Sequence, residues 1–218
     1  MPKAVLPLFY APPLPFFVAV YGMEEWHLDA KEHFVKASYR NRASIAGPNG
    51  ALSLSIPLAG GKDKRFTSDS RPIQNEIAWQ KHHWQSLCAA YRSSPYFEYY
   101  EDDYAPLYTE AYNTTWDFNL AVLKQILCHL KWEIDLKNTS SYVADCGEDV
   151  LDLRNRFMPN RWAQEVLRTE RMEEHPYEQV FQNKTGFLHN LSILDLLFNE
   201  GPQSSEVIRG LVEGLQGS

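Results

Sequence analysis

The chain opens on an apolar run, Ala4 to Val20, which Pro7, Pro12, Pro13 and Pro15 cut into pieces. A helix spanning a membrane needs about 20 uninterrupted apolar residues, so this run does not supply one. No small-residue cleavage pattern of a secretory signal follows it. What fits is a short buried strand, Ala4 to Phe9, ended by a proline-rich turn. Pro12, Pro13 and Pro15 then suit the first turn of a helix, where a missing N–H costs little, and Gly22 suits its end. A strand and a helix followed by further strands and then helices favour layered α/β packing over an all-helical fold.

Strand-like segments follow at residues 26–30 and 33–37. Residues 43–46 and 52–57 flank Gly47-Pro48-Asn49-Gly50, and an Asn-Gly pair between alternating runs predicts a hairpin. Gly60 to Lys64 reads as a polar loop. The period becomes helical beyond Ile73, where Ile77, Trp84, Leu87, Cys88 and Tyr91 share one face, and Ser94-Pro95 breaks the pattern. Trp116, Leu120, Leu123, Leu127 and Leu130 predict a second amphipathic helix. A further strand is expected at 142–144, a short helix at 148–156, and a charge-rich solvated face at 161–174. Residues 191–199 predict another helix, stopped by Gly201-Pro202. Ser192 and Asp195 have capping-box spacing, with Asn190 able to cap one turn earlier, and capping accounts for that turn. The expected architecture is one α/β domain over residues 1–218. It has a small mixed sheet, flanking helices and a mainly helical second half.

The chain has 218 residues and a formal net charge of -7, with a sequence pI near 5.5. That balance argues against generic nucleic-acid binding, which rests on many cationic contacts to phosphate. Cys88, Cys128 and Cys146 form no paired motif, so reduced thiols and a cytoplasmic setting are expected. His27, Asp29 and His33 lack the spacing of a metal site, no metal or other cofactor is expected, and no G-x-S-x-G marks a serine nucleophile.

The densest polar constellation is His33-Phe34-Val35-Lys36-Ala37-Ser38-Tyr39-Arg40-Asn41-Arg42. If it is extended, Lys36, Ser38, Arg40 and Arg42 form a cationic row, and guanidiniums beside Asn41 suit bidentate recognition of phosphate or carboxylate. The plain alternative is an edge strand with solvated charges. On the tryptophan-rich helix, Lys81, Gln85, Cys88 and Arg92 line one edge of the buried face. Lys81 and Arg92 either snorkel to water or close the far side of an anion pocket. Between Tyr91 and Tyr104, tyrosines alternate with carboxylates, a composition that suits sugar stacking or an aromatic helix corner, with Glu98 and Asp102 the acids of interest.

Leu6 to Tyr10, Tyr39 to Arg42, Trp79 to Trp84, Tyr91 to Asp103 and Gly186 to Pro202 together resemble the WbqC-like protein family, in a Bacteroidetes-type form. The similarity runs over nearly the whole chain, with His189 where relatives are expected to carry proline. That resemblance implies surface-polysaccharide (O-antigen, lipopolysaccharide) synthesis and a small-molecule substrate such as a nucleotide-linked sugar. The expected role is a transferase, amino-sugar acyl transfer among the options. The alternative is a non-catalytic module of the same glycan pathway. In the enzyme reading Arg40, Arg42, Lys36, Lys81, Asn41 and Arg92 hold the anionic part, and Tyr39 and Tyr96 contact the sugar or base. His33, His83 or Glu98 carries the proton, histidine being favoured because it titrates nearest neutrality.

Overall fold

The computed structural model describes residues 3–61, 65–144, 146, 150–157 and 177–216. The proline-cut opening folds as expected. β1 (Lys3–Leu6) is buried from Ala4 onward. Extended Pro13 then leads into α1 (Leu14–Ala19), whose Leu14 to Val18 are all buried. Gly22, with φ 75°, turns the chain back. β2 (Glu25–Leu28) then lies parallel to β1, pairing Ala4 with Trp26 and Leu6 with Leu28. β1 buries Ala4, Val5 and Leu6, whereas β2 alternates, with Trp26 and Leu28 buried and Glu25 and His27 half-buried on the other face.

Two further strands complete that sheet. β5 (Asp135–Asn138) pairs parallel with β2, and β6 (Val150–Asp152) pairs parallel with β1, giving the order β5-β2-β1-β6. The hairpin is separate: β3 (Arg42–Ile45) and β4 (Leu52–Ser55) form a two-stranded antiparallel sheet. The α/β class therefore holds, with parallel and antiparallel strands divided between two sheets.

The second half is mainly helical: α2 (Trp79–Tyr91), α3 (Phe97–Tyr104), α4 (Thr115–Leu130), α5 (Gln182–Thr185), α6 (Ile193–Glu200) and α7 (Ser204–Gln216). α4 is capped as its sequence dictates. The Thr114 side chain accepts the Asp117 N–H, and Lys131 closes the helix in the left-handed region. Phe198 of α6 anchors the helical layer, with its ring centroid 5.1–5.5 Å from those of Tyr91, Phe97 and Tyr104. Among the described residues no helix is long and apolar enough to cross a membrane.

Several expectations are corrected. Residues 33–37 form no strand. The chain turns there, with Ala37 at φ 57° and the Ser38 hydroxyl donating to the Val35 carbonyl, because the loop must fold back on Arg40. The cationic row therefore does not form: Ser38 and Arg40 are buried while Lys36 and Arg42 are exposed. Residues 142–144 are not a strand. Of the helix expected over 148–156, the described residues from 150 on are instead β6 followed by a turn, because β1 offers that segment a free edge to pair with. On α2 the buried residues are Trp79, His83, Leu87, Ala90 and Tyr91, while Ile77 is exposed. Ser192 does cap α6, accepting the Leu194 N–H, but Asp195 does not complete the box. Its buried carboxylate accepts from the Tyr177 hydroxyl at 2.7 Å. The charge-rich stretch 161–174 lies outside the described residues.

Gly201 closes α6 at φ 52°, and a Cβ there would fall within 3 Å of the Tyr96 ring. Gly201→Ala combines a strained backbone with a clash, so it should destabilise the protein by about 1–3 kcal/mol in chemical denaturation.

Candidate functional site

In open parallel sheets ligands bind beyond the carboxyl ends of the strands, where successive connections leave in opposite directions. β1 is that place here, with β2 on one side and β6 on the other. The ladder runs past the strand ends: the Asp29 N–H donates to the Leu6 carbonyl, that of Thr139 to Leu28, and that of Leu153 to Val5. These bonds deliver Asp29, Thr139 and Arg154 to one edge.

Asp29 is fully buried. Its carboxylate accepts from the Arg154 guanidinium at 2.8 Å, from the Thr139 hydroxyl at 3.1 Å and from the Lys31 N–H at 3.2 Å. Arg154 also forks onto Asp152, at 2.9 and 2.6 Å, and donates to the Val143 carbonyl. These carboxylate bonds, that to Asp152 foremost, hold its pKa above the ordinary arginine value. The guanidinium lies 5.1 Å from the ring centroid of Tyr142, which is 58% exposed.

A second buried pair faces the first. Arg40 grips Glu32 bidentately, both distances 2.6 Å, and the Ser68 hydroxyl adds a bond to Glu32 at 3.0 Å. The guanidinium also lies over the Phe9 ring at 5.6 Å. Its remaining nitrogen, Nη1, is buried with no hydrogen-bond partner among the described residues. Between the pairs lies a cavity of about 500 Å³, whose walls include Lys31, Glu32, His33, Arg40, Tyr142 and Arg154.

Two of the residues singled out in the sequence meet at this cavity: Arg40, buried, and His33, exposed at its wall and bridged through its backbone to Thr67. The others do not line it. Lys36 donates to the Gly61 carbonyl at 3.3 Å, and Arg42 is exposed at the start of β3. Asn41 is buried and bonds the Ile56 carbonyl. Tyr39 packs its ring against Phe9, and burial raises its hydroxyl pKa. Lys81 is exposed on α2, and exposed Arg92 pairs with Glu101 at 2.9 Å. Glu98 is exposed in the first turn of α3, and Tyr96 packs near Tyr99. His83 sits in the aromatic core, its Nδ1 3.0 Å from the Tyr10 hydroxyl and its ring stacked on Tyr10. Burial pushes its pKa down to about 4, so at neutral pH it is an uncharged packing residue.

Sequence reasoning missed Asp29 as a partner of Arg154, and missed Glu32, Tyr142 and Arg154 altogether. A signal did exist for Asp29: a carboxylate directly after an apolar strand marks the ligand end of a parallel sheet. Nothing local marks Arg154, whose partners lie on three segments. Among the described residues no group of three or more His, Cys, Asp or Glu is arranged to hold a metal ion.

Comparison with known proteins adds a family. A model described as the WbqC-like protein family matches residues 9–207. A relative from Mycobacterium tuberculosis (strain ATCC 25618 / H37Rv), described as Uncharacterized protein Rv1507c, is 22% identical over 224 residues, covering 94% of this chain and 96% of its own. No solved structure matches.

Proposed function

We propose that this chain, which belongs to the WbqC-like protein family, is a transferase of surface-polysaccharide synthesis that seats the sugar of a nucleotide-linked precursor in the cavity at the ends of β1, β2 and β6. The observation that carries this reading is the unpartnered Nη1 of Arg40, a buried donor on a guanidinium that lines the cavity. A buried donor without a partner costs about 1–3 kcal/mol, a penalty that a bound oxygen would remove. Each cation at the wall already has a carboxylate: Lys31 has Asp69, Arg40 has Glu32, and Arg154 has Asp29 and Asp152. With little surplus positive charge, the wall suits a hydroxyl-bearing ring better than a bare anion. Tyr142 offers an exposed aromatic face beside it, the partner a sugar ring prefers. His33 is the group in position to take the proton that a sugar hydroxyl or amino group loses as it attacks.

Thermal-shift titration with nucleotide-linked sugars tests this reading, because a ligand of the native state raises the unfolding midpoint. Tyr142→Ala should weaken that binding by up to about tenfold, since an aromatic contact contributes roughly 0.5–1.5 kcal/mol. His33→Asn should leave binding intact and reduce turnover at least about 100-fold. Stabilisation without any product, unaltered by His33→Asn, would assign the non-catalytic role. No stabilisation by any nucleotide-linked sugar sinks the proposal.

A further inference from the structure

Arg71 is 2% exposed, yet among the described residues no carboxylate lies within ion-pairing distance of it and its side chain makes no hydrogen bond. Its guanidinium is held between two phenylalanines, 4.7 Å from the ring centroid of Phe66 and 5.7 Å from that of Phe34. The backbone builds this clamp deliberately. The Phe34 N–H donates to the Phe66 carbonyl, His33 bridges Thr67, and the Arg71 carbonyl accepts the Thr115 N–H. Gly60, in the bend that follows β4, approaches so closely that any Cβ there would fall within 3 Å of the Phe66 ring.

Two ring contacts do not replace the hydration of a buried cation. The nearest acid along the chain is already engaged, since Asp69 pairs with Lys31 and accepts from Thr67. Burial accordingly holds the Arg71 pKa below its ordinary value. Exposed Arg65 and Ser70 flank the clamp in sequence, and Phe34 and Phe66 are only half-buried, so the guanidinium lies just beneath the surface. Arg65 likewise has no carboxylate within ion-pairing distance among the described residues, and Lys36 is exposed nearby, donating to Gly61.

The geometry points to Arg71 as the anchor of an oxyanion site that takes a phosphate or diphosphate group through the fork of its guanidinium, with Arg65 and Lys36 as outer cations. A planar fork left without hydrogen bonds matches such a group bidentately. This site stands apart from the sugar cavity reading and does not depend on it. The phosphate has two sources, free inorganic phosphate or the diphosphate linker of a nucleotide-linked sugar.

Thermal-shift titrations with inorganic phosphate, inorganic pyrophosphate and a nucleotide diphosphate sugar, against chloride at equal ionic strength, test the site. Wild type should shift by roughly 5–10 °C when the anion exceeds its Kd about 100-fold. Arg71→Met should fold at least as stably without ligand, since it removes an unpaired buried charge, and should lose the anion-dependent shift. A purely structural arginine gives the opposite pattern, with a lowered starting midpoint and an unchanged shift, and that result overturns the inference. So does a wild type that none of the three anions stabilises more than chloride does. If Arg71→Met does not fold, Arg71→Lys decides: a shift reduced from wild type supports the site, and an equal one overturns it. A response to inorganic phosphate assigns the free anion, whereas a response confined to the two diphosphates assigns the linker.

Discussion

Arg154→Met should be the most damaging single substitution at the sheet's carboxyl edge, lowering the unfolding free energy by about 3–5 kcal/mol. The reason is what it leaves behind rather than what it removes. Asp29 is fully buried at the end of β2, and its two remaining donors are the Thr139 hydroxyl and the Lys31 N–H. Neither carries the charge that neutralises a carboxylate in an apolar setting. Arg154 also joins β6 to β2 across the central strand, gripping Asp152 with Nε and Nη2 while Nη1, the nitrogen on Asp29, reaches the Val143 carbonyl as well. Its loss therefore frees the short edge strand as well. Urea denaturation of Arg154→Met and of Arg154→Met/Asp29→Asn separates the two contributions. Neutralising the stranded carboxylate should restore a large part of the loss, because a buried pair removed together leaves no uncompensated charge. A double variant as unstable as the single one would place the whole effect in the tether to β6.

The parts of this fold legible in the sequence are those whose signals are local. Prolines set the β1–α1 turn, Gly47 to Gly50 set the hairpin, and the 3.6-residue period set α4 and α6. β5 and β6 were not legible, since they are edge strands with exposed Asp135, Lys137 and Asp152, and only pairing with β2 and β1 makes them strands. The α2 helix was found, but its face was placed wrongly: Trp84 and Cys88 look apolar and are only half-buried, whereas His83 looks polar and is core. The candidate site follows the same division. The run around Arg40 stood out by composition, yet its partner Glu32 did not, because a turn with Ala37 in the left-handed region brings the two together. Lys81 and Arg92, placed beside that pocket by helical spacing alone, are exposed on the other layer. Arg71 and Arg154 are lone arginines in sequence, and only tertiary contacts distinguish them from solvated ones.

Stability as a function of pH should be nearly level between pH 4 and 6, and each of two single substitutions should tilt it in a known direction. Asp195 is buried, and burial raises its carboxyl to about 6 from an ordinary 3.8, against the hydrogen bond from the Tyr177 hydroxyl that pulls it down. Tyr91 and Gln179 also act on it, and the Glu200 charge acts on Tyr177. Because its folded pKa is raised, the stability Asp195 contributes is complete below pH 3.8 and is lost as pH climbs through 6. His83 works the other way. Burial lowers it to about 4 from 6.5, with the His82 charge adding to that and a backbone bond at Ser55 opposing it. The stability it contributes is complete above pH 6.5 and is lost as pH falls through 4. Each effect is roughly 3 kcal/mol at full extent, and across their shared range the slopes oppose. Asp195→Asn removes the first, so that variant should gain stability steadily from pH 4 to 6.5. His83→Phe removes the second and should lose stability steadily from pH 4 to 6. Denaturant midpoints for wild type and both variants at half-unit pH intervals read the three curves directly. Parallel curves would show that neither group is held away from its ordinary pKa by the fold.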